Sequence, residues 1–450
     1  MAFDRSTLSP EWQRAFDFVE AKVGGRIVAA ERQARWRPAW FLDVERDGEV
    51  VPVYFRGARG ETDHGVYALA HEFRCMEILE RHGIPVPHVY GFCDDPEGFL
   101  MAKAPGRISL ATARDEAERK AVLEHYMQIL ARIHALPLDD FVAAGFARPA
   151  SAADLALGDF AHWVRAFRKT KARPEPLIEF AIDWLERNVP QGRERASLLC
   201  GDSGQFLFDE GRVTAVIDLE LSYIGDPAAD LGGLLSRDLS EPMGDIGDAI
   251  RAYEAASGER VDRRVVLYHA IRFGMVTPLS TSVQVAAPTP MTDFVQYLAW
   301  YLVYSRCPMQ LVAHATEVDV PPAALPDEAD SECAKAFDVL VDRIGKLPAA
   351  DEFAAYQREA VARTAEYLRR ADRYGAALLE DDLDEARELL GARPRGWRER
   401  DEALEVLVGR NEGELDAALV RYFVRRCQRH EFLLAPVMKE LAGARMQTLD

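Results

Sequence analysis

The feature that most constrains this chain is a short predicted β-hairpin with an aspartate just outside each of its strands. Residues 206–208 form one apolar strand, residues 209–211 (Asp-Glu-Gly) form a turn, and residues 213–217 alternate as a second strand. Asp202 precedes the first strand and Asp218 follows the second. Because a hairpin brings its open ends together, the two carboxylates are predicted to converge on one site.

Two convergent carboxylates are the groups that phosphoryl transfer needs. One can accept or orient the attacking hydroxyl, while the other holds Mg²⁺ against the phosphates of the donor. Glu220 comes two residues after Asp218, so strand periodicity would place both side chains on the same face. The hairpin therefore predicts an acidic site suited to a metal-bound phosphate.

The N-terminal part of the chain indicates a small region that contains β-structure. A helix is predicted to begin at Ser9-Pro10 and to end at Gly24-Gly25. Asp47-Gly48 supplies the positive φ values of a tight hairpin turn. The flanking strands are predicted at 41–44 and 50–56, and they are followed by a helix over 66–82 and a strand over 99–102.

The remainder of the chain is mainly helical. The spacing of apolar residues predicts helices over 113–136, 177–188, 228–237, 244–257, 263–273 and 291–305. Residues 315–330 are rich in proline and acids and predict a linker, after which 331–450 is helical almost throughout. The acidic run at 380–385 predicts a solvated helix start, because acids favour a helix N-terminus.

Composition narrows the class of partner and the compartment. The 450-residue chain has a net charge of −19, which disfavours nucleic acid and anionic membrane surfaces as partners. Six cysteines are scattered without a C-x-x-C pair, as expected of reduced thiols in a cytosolic protein. The N-terminus has no apolar core of a signal peptide, and no stretch is long and apolar enough for a membrane span. We therefore expect a cytoplasmic protein.

Three motifs in order give the chain a family resemblance. They are Cys200-Gly201-Asp202, Ile217-Asp218-Leu219-Glu220 and Gly225-Asp226-Pro227-Ala228-Ala229-Asp230-Leu231. They resemble the H-G-D-x-x-x-x-N, I-D-x-E and G-D-P-x-x-D-L pattern of the aminoglycoside phosphotransferase and choline-kinase-like family. The resemblance implies an α+β, bilobal, protein-kinase-like fold. It also implies that ATP and Mg²⁺ are used to phosphorylate a hydroxyl of a small molecule.

The same resemblance implies a division of the chain. Residues 1–103 would be a nucleotide-binding N-lobe and residues 104–314 a catalytic and substrate-binding C-lobe. Residues 315–330 would be the linker, and 331–450 an additional helical domain that the resemblance does not cover. That domain is the candidate surface for a homodimer.

Site roles follow from the resemblance residue by residue. Asp202 takes the catalytic-base position, and Asp218 the Mg²⁺-ligand position with Glu220 beside it. Arg56 is the cation that binds the phosphates, and Glu72 is the glutamate that pairs with it. Asp226 and Asp230 are expected to brace the catalytic loop outside the site.

Further positions complete the implied nucleotide site. Met101 would border the adenine pocket, and Gly24-Gly25 is the best candidate for a phosphate loop, although glycine pairs are mostly turns. The asparagine of the family motif is missing here. Gln205 is the nearest amide, and its oxygen could ligate a hard cation.

The departures from the pattern leave an alternative open. Arginine replaces the usual lysine at 56, cysteine replaces histidine at 200, and Gln205 stands near the missing asparagine. The alternative is a pseudokinase or nucleotide-binding regulatory module that acts through its helical C-terminal region. Retention of both Asp202 and Asp218 favours an active kinase, because a binding-only module does not need the two together.

One basic segment bears on the acceptor. Residues 165–173 (RAFRKTKAR) carry five positive charges. One interpretation is an anionic acceptor, and the other, which we favour, is a solvated helix face. The segment argues weakly against polycationic aminoglycosides as acceptors.

Overall fold

The computed structural model describes residues 5–33, 37–59, 66–290, 292–349 and 352–449. They form two compact units. Unit 1 consists of Met1–Ala150, Glu194–Asp230 and Glu241–Val261, and unit 2 consists of Ser151–Arg193, Leu231–Ser240 and Asp262–Asp450. The boundaries predicted at 103, 314 and 330 do not coincide with the ends of these units, and the four-part division stays a prediction.

An antiparallel sheet of five strands, in the order β1-β2-β3-β5-β4, forms the first part of unit 1. The strands are β1 (Arg26–Arg32), β2 (Ala39–Arg46), β3 (Glu49–Gly57), β4 (Val89–Asp94) and β5 (Glu97–Ala102). The hairpin of β2 and β3 confirms the one predicted, with φ of 54° at Asp47 and 85° at Gly48. Strands β1 and β4 were not predicted from the sequence. Residues 60–65, in the connection that follows β3, lie outside the described residues.

Two helices accompany this sheet, α1 (Pro10–Val23) and α2 (Leu69–Arg81). Helix α1 packs its apolar face, including Phe16 and Val19, into a core shared with Leu42 and Phe55 of the sheet. Helix α2 carries Glu72 in its first turn, where that side chain is 1% exposed. Both helices lie close to the positions predicted from apolar spacing.

The rest of unit 1 holds the predicted carboxylate-bracketed hairpin. Its elements are α3 (Glu116–His134), α4 (Asp139–Ala143), α9 (Ile246–Ser257), β6 (Ser197–Leu199), β7 (Phe206–Asp209), β8 (Arg212–Val216) and β9 (Tyr223–Gly225). Strands β7 and β8 pair antiparallel as predicted, and β6 pairs with β9. Helix α3 packs against β6, β8 and α9. Through its contact with β8 it supports the β7–β8 hairpin.

Unit 2 is built of helices. They are α5 (Ala152–Leu157), α6 (Phe160–Thr170), α7 (Pro176–Arg187), α8 (Ala228–Arg237, which begins in unit 1), α10 (Arg263–Gly274), α11 (Val276–Ala286), α12 (Phe294–Ala315), α13 (Ala334–Gly345), α14 (Glu352–Leu390), α15 (Trp397–Val408) and α16 (Asp416–Leu434). Helix α12 packs against α10, α11, α14 and α16. Helices α14, α15 and α16 therefore pack together with α7 and α12, whereas α13 packs on α14 and has no buried residue. Among the described residues, none of the helices combines the length and the apolar character needed to cross a membrane.

The acidic run at 380–385 is not a solvated helix start, and that prediction is wrong. Helix α14 has 39 residues and ends at Leu390, so the run lies inside this helix and not at its start. Asp382 is 3% exposed and pairs with Arg400 and Arg429. Arginines from α15 and α16 thus compensate a charge that the local pattern assigned to solvent.

Candidate active site

The hairpin of β7 and β8 positions the two aspartates of the sequence analysis. Phe206 pairs with Val216, and one step further out the Ile217 amide donates to the Gln205 carbonyl over 3.1 Å. Asp202 and Asp218 leave the ribbon just beyond this bond, each half-buried. Both aspartates therefore lie in the segments that flank the open end of the ribbon, and the convergence of their carboxylates stays a prediction.

A backbone contact holds the Asp202 loop against the segment that follows Asp218. Gly201 has φ of 81°, and a Cβ at this position would lie 1.9 Å from the Leu221 carbonyl oxygen. Only glycine fits such an approach, because any side chain would overlap that oxygen. The glycine of the Gly-Asp motif thus brings the two acidic segments together.

Buried hydrogen bonds hold the loop that carries Asp202 in place. Asp230 accepts from the Cys200 amide at 2.8 Å and from the Gly201 amide at 3.0 Å, and His134 Nε2 lies 3.1 Å from the same carboxylate. Tyr126 Oη accepts from the Gly204 amide at 2.8 Å. Asp230 therefore braces the loop that carries Asp202, as expected from the sequence. Burial raises the pKa of the Cys200 thiol well above its ordinary value, so this cysteine is a neutral part of the scaffold.

An ion-pair cluster links the sheet to the end of the hairpin. Arg56 on β3 places Nε 2.9 Å from Glu72 Oε2, and its Nη2 contacts Asp218 and lies 3.3 Å from Glu220 Oε2. Burial opposes the charge of Arg56, but the three carboxylates together outweigh it and raise the pKa of the guanidinium. One permanently charged group thus connects three of the acids named from the sequence.

Two more arginines join this cluster, and the sequence analysis missed both. Arg37, in the β1–β2 connection, contacts Glu220 and has Nη1 3.8 Å from Glu72. Arg59, just after β3, has Nη2 2.5 Å from Glu220 Oε1. Burial, with Arg56 close by, lowers the pKa of Arg37. The one available signal was the second arginine of Arg56-Gly57-Ala58-Arg59, and nothing local marked Arg37.

The acids of the cluster have the chemistry of a magnesium site. Carboxylate oxygens of Glu72, Asp218 and Glu220 all lie within 4.8 Å of one another. Hard oxygen donors are the ligands that Mg²⁺ prefers, and it keeps several waters besides one or two carboxylates. The residues present therefore fit the metal that the sequence analysis predicts.

Two further predicted site residues are Gln205 and Met101. Gln205 adjoins the site, where its Nε2 donates to Asp202 Oδ2 at 2.7 Å, and Met101 lies in β5, 7% exposed and paired with Tyr54. Neither ligation by Gln205 nor an adenine contact of Met101 is tested by these contacts, and both stay predictions.

Gly24 and Gly25 are not brought to the cluster. Gly24 ends α1 in the left-handed conformation, and a Cβ on Gly25 would lie 2.3 Å from the Glu45 carbonyl oxygen. Arg56 pairs with Ala39 at the other end of β2, roughly 20 Å away for six residues of an antiparallel strand. These glycines cap a helix and allow close packing, so we leave them out of the site proposed below.

The contact at Gly201 can be tested against a glycine of similar conformation. Gly201→Ala is expected to lower the free energy of unfolding by ~1–2 kcal/mol for the positive φ and by about 1–3 kcal/mol more for overpacking. Gly211→Ala is the control, because it has φ of 76° on the same hairpin but its Cβ would meet only Ala121 Cβ at 3.8 Å. Urea unfolding of both variants measures the difference. Equal losses of stability would show that the close approach is absent.

Comparison with known proteins places this site in a family. A family model described as the phosphotransferase enzyme family matches residues 39–266. Acyl-CoA dehydrogenase family member 10 of Mus musculus is 30% identical over 177 residues, 37% of this chain and 16% of the relative. Family member 11 of Homo sapiens is 27% identical over 219 residues, 45% of this chain and 27% of the relative. The chain thus matches only a minor part of the length of these two relatives.

Two further matches concern phosphotransferases directly. Aminoglycoside 3'-phosphotransferase of Streptomyces fradiae is 27% identical over 235 residues, 49% of this chain and 84% of the relative. The crystal structure of a putative aminoglycoside phosphotransferase from Ralstonia eutropha JMP134 superposes with a TM-score of 0.54. It shares 18% identity and covers 68% of this chain and 98% of the other. The predicted α+β, kinase-like fold is confirmed by this likeness. Because the family model covers half of the chain, including every residue of the ion-pair cluster except Arg37, the chain belongs to the phosphotransferase enzyme family.

Proposed function

We propose that this protein is an ATP-dependent kinase that transfers the γ-phosphoryl group to a hydroxyl of a small molecule. The observation that carries the proposal is the cluster in which Arg56 contacts Glu72, Asp218 and Glu220 beside the Asp202 loop. A protein that only bound a partner would not need the combination of three features at one place, which are a buried cation, a set of metal-binding acids and a separate carboxylate. Membership of the phosphotransferase family supports the same conclusion.

The charges of the cluster suit a nucleotide that carries a metal. Three arginines (37, 56 and 59) face three carboxylates (72, 218 and 220). Acids alone would attract a cation but repel a triphosphate, whereas arginines bind phosphate oxygens through paired N–H groups. Arg37 and Arg59 therefore serve as partners of Glu220 in the free protein and as phosphate-binding groups when ATP is present.

The roles of the remaining groups follow from their positions. Glu72, fully buried and 2.9 Å from Arg56 Nε, orients that guanidinium toward the phosphates. Asp218 and Glu220 hold the metal, and bound Mg²⁺ would neutralise charge on the phosphate oxygens. Asp202 accepts the proton of the acceptor hydroxyl, and Gln205 fixes its carboxylate by a 2.7 Å hydrogen bond. Most of the rate acceleration would come from positioning and electrostatic stabilisation.

The acceptor and the setting are also part of the proposal. The acceptor is a small hydroxylated molecule rather than nucleic acid or a membrane lipid surface, because the chain has a net charge of −19. We place the enzyme in the cytoplasm. A homodimer through the C-terminal helices stays a prediction.

Phosphorus NMR of the full chain with ATP and Mg²⁺ tests the function. We expect ADP to accumulate, slowly with water as acceptor and faster with pooled hydroxylated metabolites that give a phosphate monoester signal. The reaction without Mg²⁺ and the Asp202→Asn variant are the controls. If the protein binds Mg·ATP but releases no ADP above the level of that variant, the kinase proposal fails and a regulatory nucleotide-binding role replaces it.

A further inference from the structure

A cavity lies among the C-terminal helices of unit 2, and apart from Arg173 its lining lies beyond the residues that match the family model. It has a volume of about 330 Å³ and is lined by α14, α15 and α16, together with Arg173 from the segment between α6 and α7. This volume is within the range of small-molecule binding sites. No residue proposed for phosphoryl transfer lines it.

One part of the lining is apolar. Leu378 and Leu433 are 5% and 8% exposed, Tyr367 and Leu379 are half-buried, and Trp397 is 40% exposed. An exposed tryptophan beside buried leucines is the composition of a site that takes an apolar or aromatic group from water.

The other part of the lining is charged, and its surplus is positive. Four arginines (173, 400, 426 and 429) and two aspartates (382 and 401) line the cavity. Arg400 and Arg429 are each 3% exposed. Burial, together with the charge of Arg426, lowers the pKa of His430 to about 4, so this lining histidine is neutral at pH 7. Glu175 and Glu385 pair with Arg173 and Arg429 from outside the lining, so the positive surplus is confined to the side chains that face the cavity.

The two aspartates do not use all the hydrogen-bonding capacity of the arginines. Asp401 accepts from Arg400 Nε at 2.9 Å and from Arg426 Nη2 at 3.2 Å, and Asp382 is shared by Arg400 and Arg429. Each guanidinium has five N–H donors, and three guanidinium groups share these two carboxylates. Glu385 and Glu175 add contacts to Arg429 and Arg173 respectively. Even so, Arg429 Nε and the nearby Tyr422 hydroxyl are buried without a hydrogen-bond partner among the described residues.

These observations favour a ligand site over a purely structural network. Buried ion pairs contribute little stability compared with well-packed apolar residues. A network whose only role was to join three helices would therefore be expected to leave no open space beside it. Here it borders open space of ligand size with an apolar wall beside it. We propose that the cavity of the C-terminal helices binds a small organic anion, a carboxylate or phosphate carried on an apolar group.

The proposal is independent of the phosphoryl-transfer mechanism and uses different residues. The apolar group lies against Leu378, Leu433 and Trp397, and the anion receives hydrogen bonds from Arg426 and its neighbours. The basic segment 165–173 is then partly explained. Arg173 lines the cavity, whereas Arg168 and Lys171 pair with Glu179. Arg165, Arg168 and Lys169 are exposed, as the favoured interpretation of a solvated helix face requires, and the alternative of an anionic acceptor stays a prediction.

Calorimetric titration of the full chain with a matched series of eight-carbon probes tests the site. Octanoate and octyl phosphate supply the two anions, and octanol supplies the same chain without charge. We expect at least one anion to bind on the order of tenfold more tightly than octanol, since charge-assisted hydrogen bonds are the strong ones. The stronger of the two anions identifies the head group. Equal affinity for octanol and both anions, or binding of none of them, would overturn the proposal.

Two variants locate the binding. Arg426→Met keeps the apolar stem but removes the charge, and it should lower the affinity for the preferred anion on the order of tenfold. Arg421→Met, on the same helix but outside the lining, is the charge-matched control and should leave that affinity unchanged. Gly375→Leu is a second variant that should fold even if Arg426→Met does not. A Cβ at this position meets only Ala371 Cβ at 3.9 Å, and replacing a mid-helix glycine stabilises α14. The leucine would fill the cavity and abolish binding. Unaltered anion affinity in Gly375→Leu would place the binding elsewhere and sink the proposal.

Discussion

Replacement of Asp202 by asparagine is expected to lower turnover by roughly 10²–10⁴-fold, the usual loss when a general base is removed, and to leave the affinity for Mg·ATP unchanged. Asp202 sits on the loop fixed by Asp230 and Tyr126 and does not belong to the acid set around Arg56. We therefore assign its carboxylate to the acceptor hydroxyl rather than to the metal. The measurement is the turnover number from ADP release, with the dissociation constant of Mg·ATP from calorimetry.

The substitution should not disturb the loop itself. Gln205 Nε2 donates to Asp202 Oδ2 over 2.7 Å, and the carbonyl oxygen of an asparagine can accept the same bond. Asp209→Asn is the matched control, because it makes the same chemical change at an exposed turn of the same hairpin. Turnover in Asp202→Asn within a few-fold of the control would remove Asp202 from the chemistry.

The position of Asp202 and Asp218 at the open end of one ribbon could be predicted because it depends on local rules. Strand alternation and a Gly-containing turn set the register of β7 and β8, and that register alone fixes where the ribbon opens. The resemblance of the flanking motifs then supplied Arg56 and Glu72, which lie in different elements but do meet. The sequence therefore yielded the acids and one of the cations of the site.

Arg37 and Arg59 could not be predicted in the same way. They bond to Glu220 across 183 and 161 residues, so no periodicity or spacing connects the partners. Each stands in a connection between elements rather than on a strand face. Contacts of that kind become visible only when the fold has placed the connections beside the hairpin.

Misplaced predictions have the same origin. Gly24-Gly25 has the composition of a phosphate loop, but the register of β2 carries it to the end of the sheet away from Arg56. The acidic run at 380–385 has the composition of a helix start, but α15 and α16 supply Arg400 and Arg429 to Asp382. In both cases tertiary pairing outweighs a correct local preference.

Replacement of Asp218 by asparagine is expected to abolish the dependence of ATP binding on Mg²⁺. Asp218 has φ of 58°, a left-handed conformation that asparagine tolerates better than alanine, so asparagine isolates the loss of charge from backbone strain. Loss of an outer-shell partner already weakens metal binding by about 10–100-fold, and a direct ligand should weaken the affinity for Mg·ATP at least as much. Calorimetry with ATP alone, and then with Mg²⁺ present, measures the difference.

The contrast between metal-free and metal-bound ATP makes this test specific. Asp218 contacts Arg56, so its neutralisation leaves that guanidinium with Glu72 and Glu220 and frees donors for the phosphates. Affinity for ATP without metal should therefore hold or rise while the gain from Mg²⁺ disappears, and a general loss of structure would instead lower both. Asp209→Asn should retain the full gain. An Asp218→Asn protein that still binds Mg·ATP as tightly as the wild type would exclude Asp218 as a metal ligand and leave Glu220 as the one remaining proposed ligand.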